Sequence, residues 1–380
     1  MLSLLVNFDR VLWKAGTHLV GSRTNGASAL WHTWWPQYSF SVPDGLAIHA
    51  YTSAPFLTNH LAYVPLFQSL LFGTFAFLHN PILVFNLLLV TTQIATFLSL
   101  YWLLRFNHTP HILAAVSAAG FILSPSYSSI IDQADIIQAS LWMLPLALIA
   151  WDYWAAQPTY LRILLIVAIL YGGVLCGVQH LSWIVLLWIP FAYLKIRQVR
   201  ITSVLRDQLG LAILLFLCLL LIYPLPTLVR TYLGNEPAFS SSDVTLPVHL
   251  STVGIVRRSS PVIWLFLLSA LLFTPSRDNR LNVWLILTGV FFAIGIALFP
   301  EPSRMIALAL ELPAQSLIPR ETFINLALFT AIIYACLAWH AIWERMQLTG
   351  IFQWVYSMVA LALILIFNPA TFNPVAQHYL

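Results

Sequence analysis

Long apolar runs separated by short polar segments recur along the chain from residue 82 onward. Runs of about 20 apolar residues are long enough to cross the hydrocarbon core of a bilayer as helices, and a helix satisfies its own backbone polar groups in lipid. The pattern predicts ten helices, at residues 82–104, 110–124, 137–156, 161–177, 179–194, 208–227, 261–275, 282–299, 322–343 and 352–368. Several are short, which suits tilted or partly buried helices in a large bundle.

The first 80 residues give a less regular pattern. Residues 1–20 are too polar to predict a membrane span, whereas residues 61–78 are apolar enough either to span or to lie in the membrane interface. Tryptophan and tyrosine side chains are frequent between residues 31 and 63, and both prefer the headgroup layer. We therefore expect an interfacial or external segment at residues 1–60, followed by a helical bundle at residues 61–380.

Composition supports an all-α, multi-pass integral membrane protein with ten or eleven transmembrane helices and no soluble domain. Of the 380 residues, 60% are hydrophobic and 8% are charged, whereas a soluble domain carries about 25% charged residues. The net charge of +4 arises from basic residues scattered over short loops, so nucleic acid is not an expected partner. All three cysteines lie inside apolar runs, and neither a disulfide nor a cysteine metal site is therefore predicted.

Loop charges predict the orientation in the membrane. The loop at residues 195–207 holds four basic residues and is expected to be cytoplasmic. Alternation of the helices then places the loops 125–136, 228–260 and 300–321 on the extracytoplasmic side, where most of the loop acids also lie. Arg304 and Arg320 fall on that side too, against the usual bias.

Three stretches share the order and spacing of a known family. They lie at residues 29–106, which include "SAPFLTNHLAYVPL", at residues 112–154, which include "ILSPSYSSIIDQAD", and at residues 317–339, which begin "LIPRETFINL". Together these stretches make the chain resemble the C-type superfamily of membrane glycosyltransferases. The resemblance implies a C-type transmembrane core and an outer-face enzyme that takes sugars from a polyprenyl-phosphate donor.

The chain departs from this family at the positions where relatives carry their catalytic acids. Relatives carry an acid in the first external loop, whereas no acid lies between Asp9 and Asp44 in this chain. A second family position commonly reads Phe-x-x-Asp, and Asn59 stands at that position here. A carboxamide is uncharged and cannot act as a general base. If the chain were active, the resemblance implies a divalent metal near the donor phosphate; no other cofactor is indicated.

Asp132, Asp135 and His60 are the candidates to replace the lost base. The two aspartates are three residues apart and would share a face on a helical turn. The alternative is that Asp135 caps a helix beginning near Ile136. Imidazole groups titrate near neutral pH, so His60 could act as a base, but it could equally be an interfacial hydrogen-bonding residue.

The resemblance also points to a set of groups for the lipid phosphate. Guanidinium groups match the geometry of phosphate, so Arg304 and Arg320 are candidates, although each could instead pair with a nearby glutamate. Asn59 and the interfacial Trp34 and Trp35 complete this set.

Two functions remain open from the sequence. One is a degenerate relative that has lost catalysis and serves as an accessory or structural subunit of a larger membrane complex, with membrane lipids and other proteins as partners. The other is an active glycosyltransferase that uses a polyprenyl-phosphate sugar. The missing acids favour the accessory or structural role over the active glycosyltransferase.

Overall fold

The computed structural model describes residues 16–17, 19–20, 29–30, 33–34, 66–132, 135–177, 180, 183–192, 203–222, 261–273, 279–296, 320–347 and 350–366. Every regular element within these residues is a helix. Contacts divide the chain into two compact units. The first unit comprises residues 1–14, 90–145 and 250–380, and the second comprises residues 15–89 and 146–249.

The helices follow the apolar runs of the sequence closely. They are α1 (Leu66–Thr74), α2 (Pro81–Phe106), α3 (His111–Ile122), α4 (Pro125–Asp132), α5 (Ile136–Ala139), α6 (Met143–Ala156), α7 (Tyr160–Cys176), α8 (Ser203–Ile222), α9 (Pro261–Phe273), α10 (Asn279–Gly295), α11 (Arg320–Met346) and α12 (Gly350–Ile366). A 3-10 turn at Ala76–Leu78 follows α1, and a π-helical turn at Ile184–Trp188 lies between α7 and α8. Each of the ten predicted helices overlaps a described one. The prediction at residues 208–227 is displaced, because α8 begins five residues earlier, at Ser203.

Three stretches of described helix are long and apolar enough to cross a membrane: Pro81–Phe106, Ile136–Ala156 and Phe323–Met346. A fourth candidate is the pair His111–Ile122 and Pro125–Ile131, which is bent by 56°. The chain can thus cross a membrane several times, and the finer count of ten or eleven crossings stays a prediction.

The core of the first unit is built around α11. Every side chain from Phe323 to Cys336 is buried, and α11 packs against α3, α9 and α10. The contact with α10 is close because Gly295 has no side chain: a Cβ there would lie 2.7 Å from Cγ1 of Ile324. In the same contact, Oγ1 of Thr288 donates a hydrogen bond of 2.9 Å to Oγ1 of Thr330.

The second unit is held together by aromatic side chains and by long-range hydrogen bonds. Helix α7 packs against α1 and α8. Nε1 of Trp154 donates a hydrogen bond of 2.7 Å to Oε1 of Gln208, and both residues are buried. The ring of Trp151 lies 4.9 Å from that of Trp154 and 5.4 Å from that of Trp188. These contacts join α6, α8 and the π-helical turn.

Candidate functional site

A break in a helix of the first unit defines the candidate site. Helix α3 ends at Ile122, and α4 begins at Pro125 at an angle of 56° to it. Proline lacks an N–H and suits the first position of a helix, while the residue before it avoids helical geometry. Ser124 therefore caps α4, and its Oγ accepts a hydrogen bond from the backbone N–H of Tyr127 at 3.3 Å.

The segment after this break is mainly helical, whereas the sequence predicts a loop at residues 125–136. Residues 125–132 are helical, and residues 124–128 are all buried. Small serine side chains allow this polar helix to pack inside the unit, and they bond to backbone or side-chain partners instead of water. Oγ of Ser129, for example, donates to the backbone oxygen of Ser126 at 2.7 Å.

A cluster of neutral polar groups surrounds the backbone oxygen of Ala139. The hydroxyl of Tyr127 donates to this oxygen at 2.9 Å, and the hydroxyl of Thr96 donates to it at 3.1 Å. The last carbonyl groups of a helix have no partner within it, and a carbonyl oxygen can accept two hydrogen bonds. Tyr127 and Thr96 are fully buried, so the cluster fixes the one-turn helix α5 against α2 and α4.

The site is also tied to α11, the central helix of the unit. Oγ of Ser126 donates to Oδ1 of Asn325, near the start of α11. Both side chains are buried. This hydrogen bond joins residues far apart in sequence and connects the segment at residues 112–154 with the segment at residues 317–339.

Gln93 is a buried polar residue of α2 whose side chain has no hydrogen-bond partner in the part of the chain that the structure describes. Its side chain is fully buried in the middle of α2, one helical turn before Thr96. Neither its Nε2 nor its Oε1 has a hydrogen-bond partner among the described residues. A buried polar group without a partner costs about 1–3 kcal/mol, and polar groups deep inside a membrane span mark functional positions.

The structure places the two candidate aspartates on different helices. Asp132 is the last residue of α4, and Asp135 is the N-cap of α5. Oδ1 of Asp135 accepts a hydrogen bond of 2.9 Å from the backbone N–H of Gln138. The capping role that the sequence allowed for Asp135 is thus confirmed. The two acids do not lie on one helical turn, and their role as candidate bases stays a prediction.

The remaining predicted site residues are only partly placed. Arg320 is the first residue of α11, in the first unit. Trp34 is half-buried in a helical turn of the second unit. His60, Asn59, Trp35 and Arg304 lie outside the described residues. Among the residues that the structure describes, no three or more His, Cys, Asp and Glu side chains are arranged to hold a metal ion.

Sequence reasoning missed the polar cluster itself. Two signals for it were present: polar residues recur at helical spacing in the apolar run of α2, from Thr92 to Ser99, and three serines follow Ser124 within "SPSYSS".

No family model, curated protein or solved structure matches this chain.

Proposed function

We propose that this chain is a multi-pass membrane protein with a glycosyltransferase-like arrangement that has lost catalysis and serves as an accessory or structural subunit of a larger membrane complex. The observation that carries the proposal is the position of Asp135. Together with Asp132 it is the best remaining acid for catalysis, and one of its carboxylate oxygens is used to begin α5.

The chemistry of the buried cluster supports the same proposal. Its side-chain members are the hydroxyl groups of Tyr127 and Thr96, which carry no charge at neutral pH. Tyr127 and Thr96 are bonded to a backbone oxygen, and satisfied networks of this kind rigidify a protein interior. The cluster therefore stabilises the fold and contains no base. Asn59, which stands in the sequence where the resemblance implies an acid, offers no base either.

The second candidate function is an active membrane glycosyltransferase that moves a sugar from a polyprenyl-phosphate donor on the extracytoplasmic face. The unpaired carboxamide of Gln93 favours it. An amide can both donate and accept hydrogen bonds, as a site for a hydroxyl-rich ligand requires. In this function Asp132 or Asp135 would be the base, and a divalent metal would neutralise the donor phosphate.

Two substitutions of Asp135 separate these functions. Asp135→Asn keeps an oxygen that caps α5 but removes the charge and the basic group, whereas Asp135→Ala removes the cap as well. We expect Asp135→Asn to melt like the unaltered protein and Asp135→Ala to lose about 1 kcal/mol of stability. In lipid nanodiscs containing a polyprenyl-phosphate sugar, none of these proteins should release or transfer sugar.

Sugar transfer that depends on the carboxylate would be the opposite result. Sugar transfer by the unaltered protein that disappears in Asp135→Asn, with no change in melting temperature, would show that the carboxylate is catalytic and would overturn the accessory role. Gln93→Leu provides a second measurement. It should raise the melting temperature if Gln93 is only an unpaired buried group, and should abolish transfer if Gln93 binds a sugar.

A further inference from the structure

Three hydrogen-bond donors converge on the backbone oxygen of Ala139, at the end of α5. The hydroxyl groups of Tyr127 and Thr96 donate to it at 2.9 and 3.1 Å, and the backbone N–H of Leu141 donates to it at 2.9 Å. A carbonyl oxygen has two lone pairs, so these three donors must share it. The longest of the three hydrogen bonds is the one from Thr96.

The carboxamide of Gln93, one helical turn earlier on α2, has the opposite imbalance. This side chain is fully buried, and neither Oε1 nor Nε2 has a hydrogen-bond partner in the described part of the chain. An amide oxygen accepts hydrogen bonds as a backbone carbonyl oxygen does, and leaving it unpaired in the interior destabilises the fold. Helix α2 thus carries an unused acceptor close to an oxygen that has more donors than lone pairs.

Thr96 is the donor that can serve both oxygens. Gln93, Thr96, Leu100 and Leu103 follow one another at intervals of three or four residues, and all four are buried, so they share one face of α2. The Cα–Cβ bonds of a helix are tilted toward its N-terminus, which directs the Thr96 side chain toward Gln93. Threonine in a helix adopts two χ1 rotamers. A rotation at Thr96, with a rotamer change at Gln93, brings the hydroxyl group to Oε1.

The two acceptors differ in what the hydrogen bond holds together. A bond from Thr96 to Ala139 joins α2 to α5, whereas a bond from Thr96 to Gln93 stays within α2. Helix α5 is only four residues long, and its N-cap is the candidate base Asp135. A helix this short is not stable by itself and depends on contacts with its neighbours. The acceptor that Thr96 uses therefore affects how firmly α5 is attached.

We infer that the Thr96 hydroxyl alternates between two acceptors, the backbone oxygen of Ala139 and Oε1 of Gln93, and that its transfer to Gln93 loosens α5. The structure holds the first arrangement. In the second, Tyr127 and Leu141 remain bonded to Ala139 and fill its two lone pairs. Gln93 gains a partner, while a contact between two helices is lost. This inference goes beyond the proposed function, because the change of acceptor requires neither a sugar nor a partner protein.

Hydrogen exchange of the backbone amides at residues 138–141, measured by mass spectrometry in lipid nanodiscs, tests the inference. These amides bond within α5 and its caps, so their exchange reports local opening of α5. Thr96→Val removes the hydroxyl and should speed exchange about threefold, which corresponds to the roughly 0.6 kcal/mol average for a hydrogen bond between membrane helices. Gln93→Leu removes the competing acceptor and should slow exchange about twofold, as for two similarly populated states.

The double variant distinguishes competition for Thr96 from a general stabilisation. If Gln93 affects α5 only by accepting the Thr96 hydroxyl, Gln93→Leu should leave exchange unchanged in the Thr96→Val protein. Equal slowing with threonine or valine at position 96 would show that Gln93 is simply an unpaired buried group, and the inference would be overturned. It would also be overturned if Thr96→Val exchanged no faster at residues 138–141 than the unaltered protein.

Two further variants keep the test decisive. Thr96→Ser retains the hydroxyl, so Gln93→Leu should still slow exchange in that protein, and this pair can be measured even if the valine variants fail to fold. Ser99→Ala removes a buried hydroxyl of α2 that bonds to a backbone oxygen of the same helix, and it should leave exchange at residues 138–141 unchanged. Loss of the Gln93→Leu effect in Thr96→Ser, or faster exchange in Ser99→Ala equal to that in Thr96→Val, would contradict the inference.

Discussion

At the scale of single residues, Asn80 shows how one side chain can serve two elements. Its Oδ1 accepts a hydrogen bond of 3.0 Å from the backbone N–H of Leu83, which caps α2, and Pro81 occupies the first helical position. Its Nδ2 donates a hydrogen bond of 2.9 Å to the backbone oxygen of Gly16. The same amide thus begins a candidate membrane span and attaches a distant segment of the second unit.

Two variants of Asn80 separate these contributions. Asn80→Asp keeps a capping oxygen and loses the donor to Gly16, whereas Asn80→Ala loses both. We expect Asn80→Ala to lower the free energy of unfolding by about 1 kcal/mol through the cap alone, with a further loss because the partly buried backbone oxygen of Gly16 loses its donor. Thermal unfolding in detergent measures both variants. A melting temperature for Asn80→Ala equal to that of Asn80→Asp would show that the cap contributes nothing.

At the scale of elements, the hydrogen bond between Ser126 and Asn325 should decide how firmly α4 is attached to α11. Both side chains are buried, and the bond joins residues 199 positions apart. Hydrogen bonds between helices in membrane proteins average about 0.6 kcal/mol in double-mutant cycles, with a maximum of about 1.7 kcal/mol. We expect the double-mutant cycle of Ser126→Ala and Asn325→Ala to give a coupling free energy in this range. Unfolding in mixed micelles measures the free energy of unfolding of each variant.

The neighbouring serine provides the control for this cycle. Oγ of Ser129 bonds to a backbone oxygen within α4, so Ser129→Ala combined with Asn325→Ala should give additive losses. Coupling as large for Ser129 as for Ser126 would mean that α4 rearranges as a whole. The hydrogen bond could not then be assigned to one pair.

The helices could be predicted from the sequence, but the candidate site could not. A span such as α2 follows from its own apolar run, and the cap at Asp135 depends on a residue three positions away. The cluster around Ala139, in contrast, depends on contacts between α2, α4 and α5 that no local pattern contains. The dipeptide Ser124-Pro125 predicts the end of a helix and the start of a loop, whereas in the structure Ser124 also caps α4 and Pro125 is its first residue.

At the scale of the whole molecule, the distribution of charge predicts which loops face the cytoplasm. The basic loop at residues 195–207 and the segment at residues 125–136, which contains Asp132 and Asp135, should lie on opposite sides of the membrane. The native cysteines favour a labelling experiment, because Cys176 and Cys336 are buried and Cys218 lies on α8 among exposed apolar side chains. In lipid, none of them should react with a maleimide that cannot cross membranes.

Thr202→Cys and Gln133→Cys therefore test the orientation directly. In intact cells or right-side-out vesicles, we expect the maleimide to label Gln133→Cys and to leave Thr202→Cys unlabelled until the membrane is permeabilised. The unaltered protein should remain unlabelled in both conditions. Labelling of both variants from the same side would require an odd number of crossings to be lost or gained between residues 133 and 202. Labelling of Gln133→Cys only after permeabilisation would place residue 133, next to the end of α4, on the cytoplasmic side and would contradict the predicted orientation.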